Sequence, residues 1–302
     1  MSDLKPDPSM IGGVPKAPFV LQSSAEAVFA TRARRFGFLA QTSRLAPYLT
    51  FLAQLSDLQA KLAQSLPPIA PVSAETQSIA AQAAMPPIDR AKVAVDPVLG
   101  ETLDALIDGA GAFVMPEPAR LALEAVRDAG ADDRQWLVNN ILSDHIPDDS
   151  AAPHLFAGAA VQLHLVRLAA TLNAAALVPV QVGVCPACGG RPVTSSIHGE
   201  EKLENLRYAT CAGCATQWNE VRIKCLCCGS TKGVSYRSVE TVEATVKAEV
   251  CTECNHWVKI LHQHKNHSLD PVADDVGSLG LDLLMKETGI ARGGFNIFLA
   301  GY

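Results

Sequence analysis

The stretch that decides the fold begins at Cys185-Pro186-Ala187-Cys188 and closes at Cys251-Thr252-Glu253-Cys254. Between them lie two further Cys-x-x-Cys pairs, Cys211/Cys214 and Cys225/Cys228. The gap from Cys188 to Cys211 holds 22 residues, and so does the gap from Cys228 to Cys251. Each cysteine of the first set therefore recurs 40 residues on, which marks an internal duplication. Two residues between cysteines let a tight turn aim both sulfurs at one ion, and two such turns joined by a hairpin complete a tetrahedron. Between the pairs the sequence alternates as strands do: Arg191 to Ile197 and Leu206 to Thr210, then Val234 to Val239 and Thr245 to Val250. The residue after the second cysteine of each pair often needs a left-handed backbone, which glycine and asparagine tolerate. Gly189, Gly229 and Asn255 fit; Ala215 does not and marks the least regular turn.

Four pairs in a repeated frame point to metal binding. A redox dithiol would want a βαβ context that is missing. Duplication implies sequential sites, Cys185, Cys188, Cys211 and Cys214 in one and Cys225, Cys228, Cys251 and Cys254 in the other; a cross-brace would interleave the pairs. Four sulfurs suit zinc or iron. They leave no position for water, which argues against hydrolytic zinc; with iron the site could pass one electron. Cys227, the ninth cysteine, lies inside the third turn and reads as a spare thiol. His256, His262, His264 and His267 read as parts of a polar strand and loop, because the cysteines already close both sites. Trp218 and Trp257, at similar offsets after the second turn of each unit, are expected to cover the sites from solvent.

All nine cysteines lie between Cys185 and Cys254 of a 302-residue chain. An odd number confined to one segment does not read as a secreted disulfide framework. The start, MSDLKPDPSMIGGVPKAPF, has acidic residues and no apolar h-region, so it does not read as a signal peptide. A reducing compartment follows, where cysteine clusters more often bind metal or do redox work. The composition is 48% hydrophobic, 19% charged and 5% aromatic, which is globular and helix-leaning. The formal charge of −6 argues against holding nucleic acid or an anionic membrane by bulk electrostatics. Residues 181–270 carry ten Lys+Arg and nine Asp+Glu, which ionised ligands and two divalent ions bring to about −3, a poor phosphate footprint. The most apolar stretch, Leu155 to Val180, is interrupted by Gln162, His164, Arg167 and Asn173, so it reads as a buried helix and not a membrane span.

Residues 1–20 read as an irregular arm and residues 21–180 as an all-helical domain. Phe36, Leu39, Leu45, Leu49, Leu52, Leu55 and Leu58 recur at helical spacing, with Pro47 kinking or dividing the stretch. A short helix is expected from near Ser73. Asp96-Pro97 starts another with an aspartate cap and proline at the first position. Glu117-Pro118 opens the next, Asp132 or Asp133 caps a further one, and an apolar helix covers about 152–176. Arg32, Arg34 and Arg35 read as a solvated helix face, and His145, His154 and His164 as satisfied or surface histidines. Two tetracysteine units follow, 181–222 and 223–268, then a C-terminal helix and tail over 269–302. In that helix Val276, Leu279, Leu283 and Leu284 are placed to share a face. The tail is expected to pack back, since otherwise Phe295, Ile297, Phe298 and Leu299 would be exposed.

These residues resemble the FdhE-type formate dehydrogenase accessory proteins. The matching stretches are Cys185 to Val193, Leu206-Arg207-Tyr208 before Cys211, Val221 to Cys225, Ala248 to Cys251, Pro271-Val272-Ala273-Asp274-Asp275 and Leu281 to Met285. The resemblance implies a multidomain α+β chain: an all-helical N-terminal domain, a duplicated rubredoxin-like or zinc-ribbon β region, and a C-terminal helix. It implies a non-enzymatic, cytoplasmic maturation factor that acts on the catalytic subunit of respiratory formate dehydrogenase before its twin-arginine export. It also implies rubredoxin-like, iron-associated sites, so two ions per chain, iron or zinc. Cys227 and the histidines around His262 fall outside the pattern. The expected partner is that subunit, with no nucleic acid and no integral membrane segment. The metal-bearing units would form a rigid platform, and a groove against the helical domain would hold the immature subunit. A rubredoxin-like electron carrier is the alternative; a nucleic-acid-binding zinc ribbon and a hydrolase are disfavoured.

Overall fold

A computed structural model describes residues 17–239 and 244–302; most of the arm expected at 1–20 lies outside them, as do four residues between the second unit's first two expected strands. Local capping chemistry starts the helices. Ser24 Oγ accepts from Ala27 N at 3.2 Å and opens α1 (Ala25–Ala40). Pro47 stands in the first turn of α2 (Ala46–Ser65), so it begins a new helix instead of kinking a long one. Ser73 caps α3 (Ala74–Gln82), Asp89 caps α4 (Arg90–Ala94) and Asp96 caps α5 (Pro97–Ala110). Then come α6 (Glu117–Asp128) and α7 (Ala131–Leu142). The α7 cap is Gly130; Asp132 and Asp133 lie in the first turn, where carboxylates favour the helix dipole but do not cap.

The helices wrap α8 (Ala151–Ala169), which is shorter than expected and is followed by a 3-10 turn at 174–176. Phe156, Leu163, Leu165 and Val166 on α8 are buried, each contributing about 1.5–3 kcal/mol of apolar burial. Its polar residues serve as ties. Gln162 Nε2 donates to Ala212 O at 2.9 Å, and Arg167 donates to the carbonyls of Leu66 and Pro67. Among the described residues no helix is long and apolar enough to cross a membrane.

The duplicated region folds into β2 (Pro192–Ile197), β3 (Arg207–Cys211) and β4 (Gln217–Glu220), then β5 (Val234–Arg237), β6 (Val246–Cys251) and β7 (His256–His262). Each trio is an antiparallel meander. The two meanders join into one sheet because β2 pairs parallel with β7, Ser195 opposite Ile260. At one end β1 (Val20–Leu21) pairs with β4; at the other, β5 is the end strand. The chain then forms α9 (Ala273–Gly277), α10 (Leu279–Lys286) and β8 (Ala291–Arg292), the last against β7.

Buried charges lock these parts together. Arg35 makes a two-pronged pair with Asp274, at 2.7 and 2.9 Å, and Arg32 stands 3.8 Å from Asp270. The arginines of α1 are therefore not a solvated face; only Arg34 is exposed. Asp275 binds Lys259 at 3.1 Å and Arg292 at 2.6 Å, and Arg207 binds Glu249 at 2.7 Å between the two units. The C-terminal helical stretch is broken at Ser278, which shifts the buried face. Val276, Leu279, Leu281 and Met285 are buried, whereas Leu283 and Leu284 are exposed. The tail packs back as expected: Phe298 meets Phe36 edge-on, and Tyr48 donates to its carbonyl at 2.6 Å.

Candidate metal centres

The first Cys-x-x-Cys turn of each unit is closed by the same backbone bonds. Cys185 N donates to Gly190 O at 2.9 Å and Gly189 N to Cys185 O at 2.9 Å; Cys225 N donates to Ser230 O at 2.8 Å and Gly229 N to Cys225 O at 2.9 Å. Such a turn forces the next residue left-handed. Gly189, Gly229 and Asn255 have φ of 75°, 77° and 54°. Ala215 has φ of 55°, so the second turn adopts the same left-handed backbone as the others despite its side chain. That alanine holds a conformation costing roughly 1–2 kcal/mol.

The sulfurs gather in two sequential groups, not a cross-brace. Within each group all four lie within 4.8 Å of one another. In the first, Cys185 and Cys214 are 3.6 Å apart and Cys188 and Cys211 3.5 Å. In the second, Cys225–Cys254 and Cys228–Cys251 are both 3.8 Å. Metal–sulfur bonds of about 2.3 Å give tetrahedral edges of roughly 3.8 Å, so both groups have room for one ion and little else. Backbone amides aim at the sulfurs, Cys214 N at Cys211 Sγ (3.4 Å) and Cys227 N at Cys225 Sγ (3.3 Å). These contacts favour thiolates.

The surroundings differ. All four cysteines of the first group are buried. Arg90 donates to Cys188 O at 3.0 Å, approaches Cys188 Sγ at 3.9 Å, and pairs with Asp144 at 3.1 Å. Hydrogen bonds from the neighbouring thiols, helped by Arg90, hold Cys188 well below the usual thiol range. Burial pushes Cys185 and Cys211 up. Thr216 Oγ1 lies 3.2 Å from Cys214 Sγ. In the second group Cys228 is exposed and Cys254 half-buried, and burial still pushes Cys225 up.

Cys227 belongs to neither group. It is packed against Gly293, where any Cβ would collide with its sulfur, and burial beside Cys225 pushes its thiol up to about 12. The downstream histidines add nothing to either group among the described residues. His256 Nδ1 is 2.6 Å from Cys254 O, while the rings of His262 and His264 meet edge-on. Trp218 and Trp257 are both buried; Trp257 packs with Leu281 and Met285 and lies under Arg292. Of the helical-domain histidines, His145 is exposed and His154 bonds Ser150 O at 2.7 Å. His164 departs from expectation: it is fully buried, faces Asp96 at 3.5 Å and makes no hydrogen bond. Sequence reasoning missed Arg90, Asp144 and Thr216. Arg90 and Asp144 are distant in sequence from the cysteines, and no motif announces them.

The comparisons with known proteins agree with this architecture. FdhE family models match almost the whole chain: "FdhE, N-terminal" over residues 17–182, "FdhE, central domain" over 184–222 and "FdhE, C-terminal domain" over 223–299. A protein of Rhizobium meliloti (strain 1021) described as "Protein FdhE homolog" is 54% identical over 100% of this chain and 99% of its own. One from Haemophilus ducreyi is 31% identical over 99% of this chain and 96% of its own. The crystal structure of the FdhE protein from Pseudomonas aeruginosa superposes with a TM-score of 0.84 at 31% identity, covering 94% of this chain and 99% of that one. The chain belongs to the FdhE family.

Proposed function

We propose that this protein is a cytoplasmic, non-enzymatic accessory factor that binds the catalytic subunit of a respiratory formate dehydrogenase before export and supports its maturation. The observation that carries this reading is full-length FdhE family membership combined with two closed four-sulfur centres. In this reading Cys185, Cys188, Cys211 and Cys214 hold one metal ion, and Cys225, Cys228, Cys251 and Cys254 a second. The ions, iron or zinc, cross-link the strands of each unit, and four thiolates leave no open position for substrate. The working parts are the helical domain (21–180), the two rubredoxin-like units (181–222 and 223–268) and the C-terminal segment (269–302). Purified catalytic subunit should co-elute with the untagged chain; no enrichment over a control protein would refute the reading. Metal analysis with a visible spectrum distinguishes iron from zinc.

One observation favours a second reading. The exposure of Cys228 brings the second centre within reach of a redox partner. A rubredoxin-like electron carrier requires iron and a reversible colour change on reduction; zinc in both centres excludes it.

A further inference from the structure

A cleft of about 460 Å³ lies between α1 and the first tetracysteine unit. Four of the side chains lining it carry buried polar atoms that hydrogen-bond to nothing: Arg32 Nε, His198 Nε2, Thr210 Oγ1 and Gln217 Oε1. Arg32, His198 and Thr210 are each more than nine-tenths buried. An unsatisfied buried polar group costs about 1–3 kcal/mol, so native proteins rarely gather several in one place without a partner to meet them. Arg32 illustrates the shortfall. Its Nη1 donates to Gln162 at 3.3 Å, but Asp270 stands off at 3.8 Å and Nε has no acceptor. Gln217 lies beside His198, close enough to favour its protonated form, yet His198 Nε2 and Gln217 Oε1 stay outside hydrogen-bond geometry.

The unpaired atoms describe their ligand. Arg32 Nε needs an acceptor and Gln217 Oε1 needs a donor, while Thr210 and the His198 imidazole serve as either. The charged groups on the walls are Arg32, Glu200 and Asp270, a formal excess of one negative charge with the histidines neutral. That excess repels a phosphate or a free carboxylate. A neutral group with one acceptor and one donor side by side fits, and the peptide unit is that group. Leu21, Val28, Leu203 and Leu269 provide apolar surface beside the polar atoms.

We propose that this cleft seats an extended, uncharged polypeptide segment of the client, held by its main-chain amides. The proposal rests on the maturation reading above and supplies its binding surface. It also gives the first metal centre a task. Thr210 and Ala215, on the cleft wall, directly flank Cys211 and Cys214, so an ion there would fix the wall in place.

The test uses the full-length chain and purified formate dehydrogenase catalytic subunit. The double variant Thr210→Val with Gln217→Leu should bind the subunit about tenfold more weakly, the effect of losing two ordinary hydrogen bonds. Circular dichroism and metal content must match the parent. A photoreactive p-benzoylphenylalanine at position 203, in an otherwise unaltered chain, should cross-link to one contiguous segment of the subunit. Full binding by the double variant together with no cross-link at 203 overturns the cleft and leaves the maturation reading standing. No binding by the parent chain overturns the maturation reading itself.

Discussion

The two tetracysteine centres share their spacing, their turn hydrogen bonds and the left-handed residue after each pair, yet they sit in different worlds. The first is sealed: every sulfur is buried, and Arg90 and Asp144 reach it from the helical domain. The second lies toward the end of the sheet, with Cys228 exposed and β5 as the last strand. Duplication thus copied a centre, and the neighbours of each copy then decided its accessibility. A sealed centre is suited to stiffening an interface, and an open one to exchanging its metal or meeting a partner.

The largest expected difference between them comes from removing a ligand. Cys185→Ser should cost the first ion and most of the chain's cooperative stability, on the order of 5–15 kcal/mol, because the helical domain packs on that unit. Cys251→Ser should unfold mainly the second unit and leave the helical domain's melting transition in place. Metal content and calorimetry of the two variants decide this; matching thermograms would erase the distinction. With the intact protein, a chelator should strip the second centre well before the first, giving two resolved phases of metal release in a colorimetric chelation assay. A single phase would show that exposure does not govern access.

The coupling between units is the next effect in size. Arg207, fully buried, pairs with Glu249 of the other unit. Glu249→Gln should cost about 3–5 kcal/mol, the typical penalty for breaking a buried pair, and should bring loss of the second ion closer to loss of the first in urea titrations. Acid should loosen the second unit preferentially. Burial, with Lys247, His264, Lys265 and Arg222 nearby, pushes His262 down to about 4. The unfolded chain takes up that proton at higher pH, so the neutral imidazole's share of stability is present above about pH 6.5 and is lost as pH falls toward 4. His262→Gln should flatten the stability–pH curve over that interval, as read by chemical denaturation. The smallest change is at a single turn. Ala215→Gly should raise stability by about 1 kcal/mol, whereas Gly189→Ala should lower it by a similar amount. A melting series checks both.

Much of this was legible in the residues. The repeat at 40 residues maps each strand of the first meander onto its counterpart in the second, and the helix starts read at Ser73 and Asp96 stand where helix chemistry requires them. These are local facts, set by spacing and by backbone groups within a few residues. Other features were not legible. The Asp274–Asp275 pair looked like the start of an amphipathic helix, but Asp274 grips Arg35 from a segment 239 residues away, and Asp275 grips Lys259 and Arg292. The Arg32–Arg35 stretch looked solvated for the same reason: charge in a sequence is silent about its partner when the partner is remote.

The amino-acid sequence by itself determined the two four-sulfur frames and the helical character of the first half. A turn that converges two sulfurs needs only four residues in order, and a helix needs only a period. Tertiary structure alone decided that the units fuse through β2 and β7 into one sheet, that one centre is sealed and the other open, and that a polar cleft lies between α1 and the first unit. Those outcomes depend on which surfaces meet, and surfaces meet only after the chain has closed contacts between segments remote in sequence.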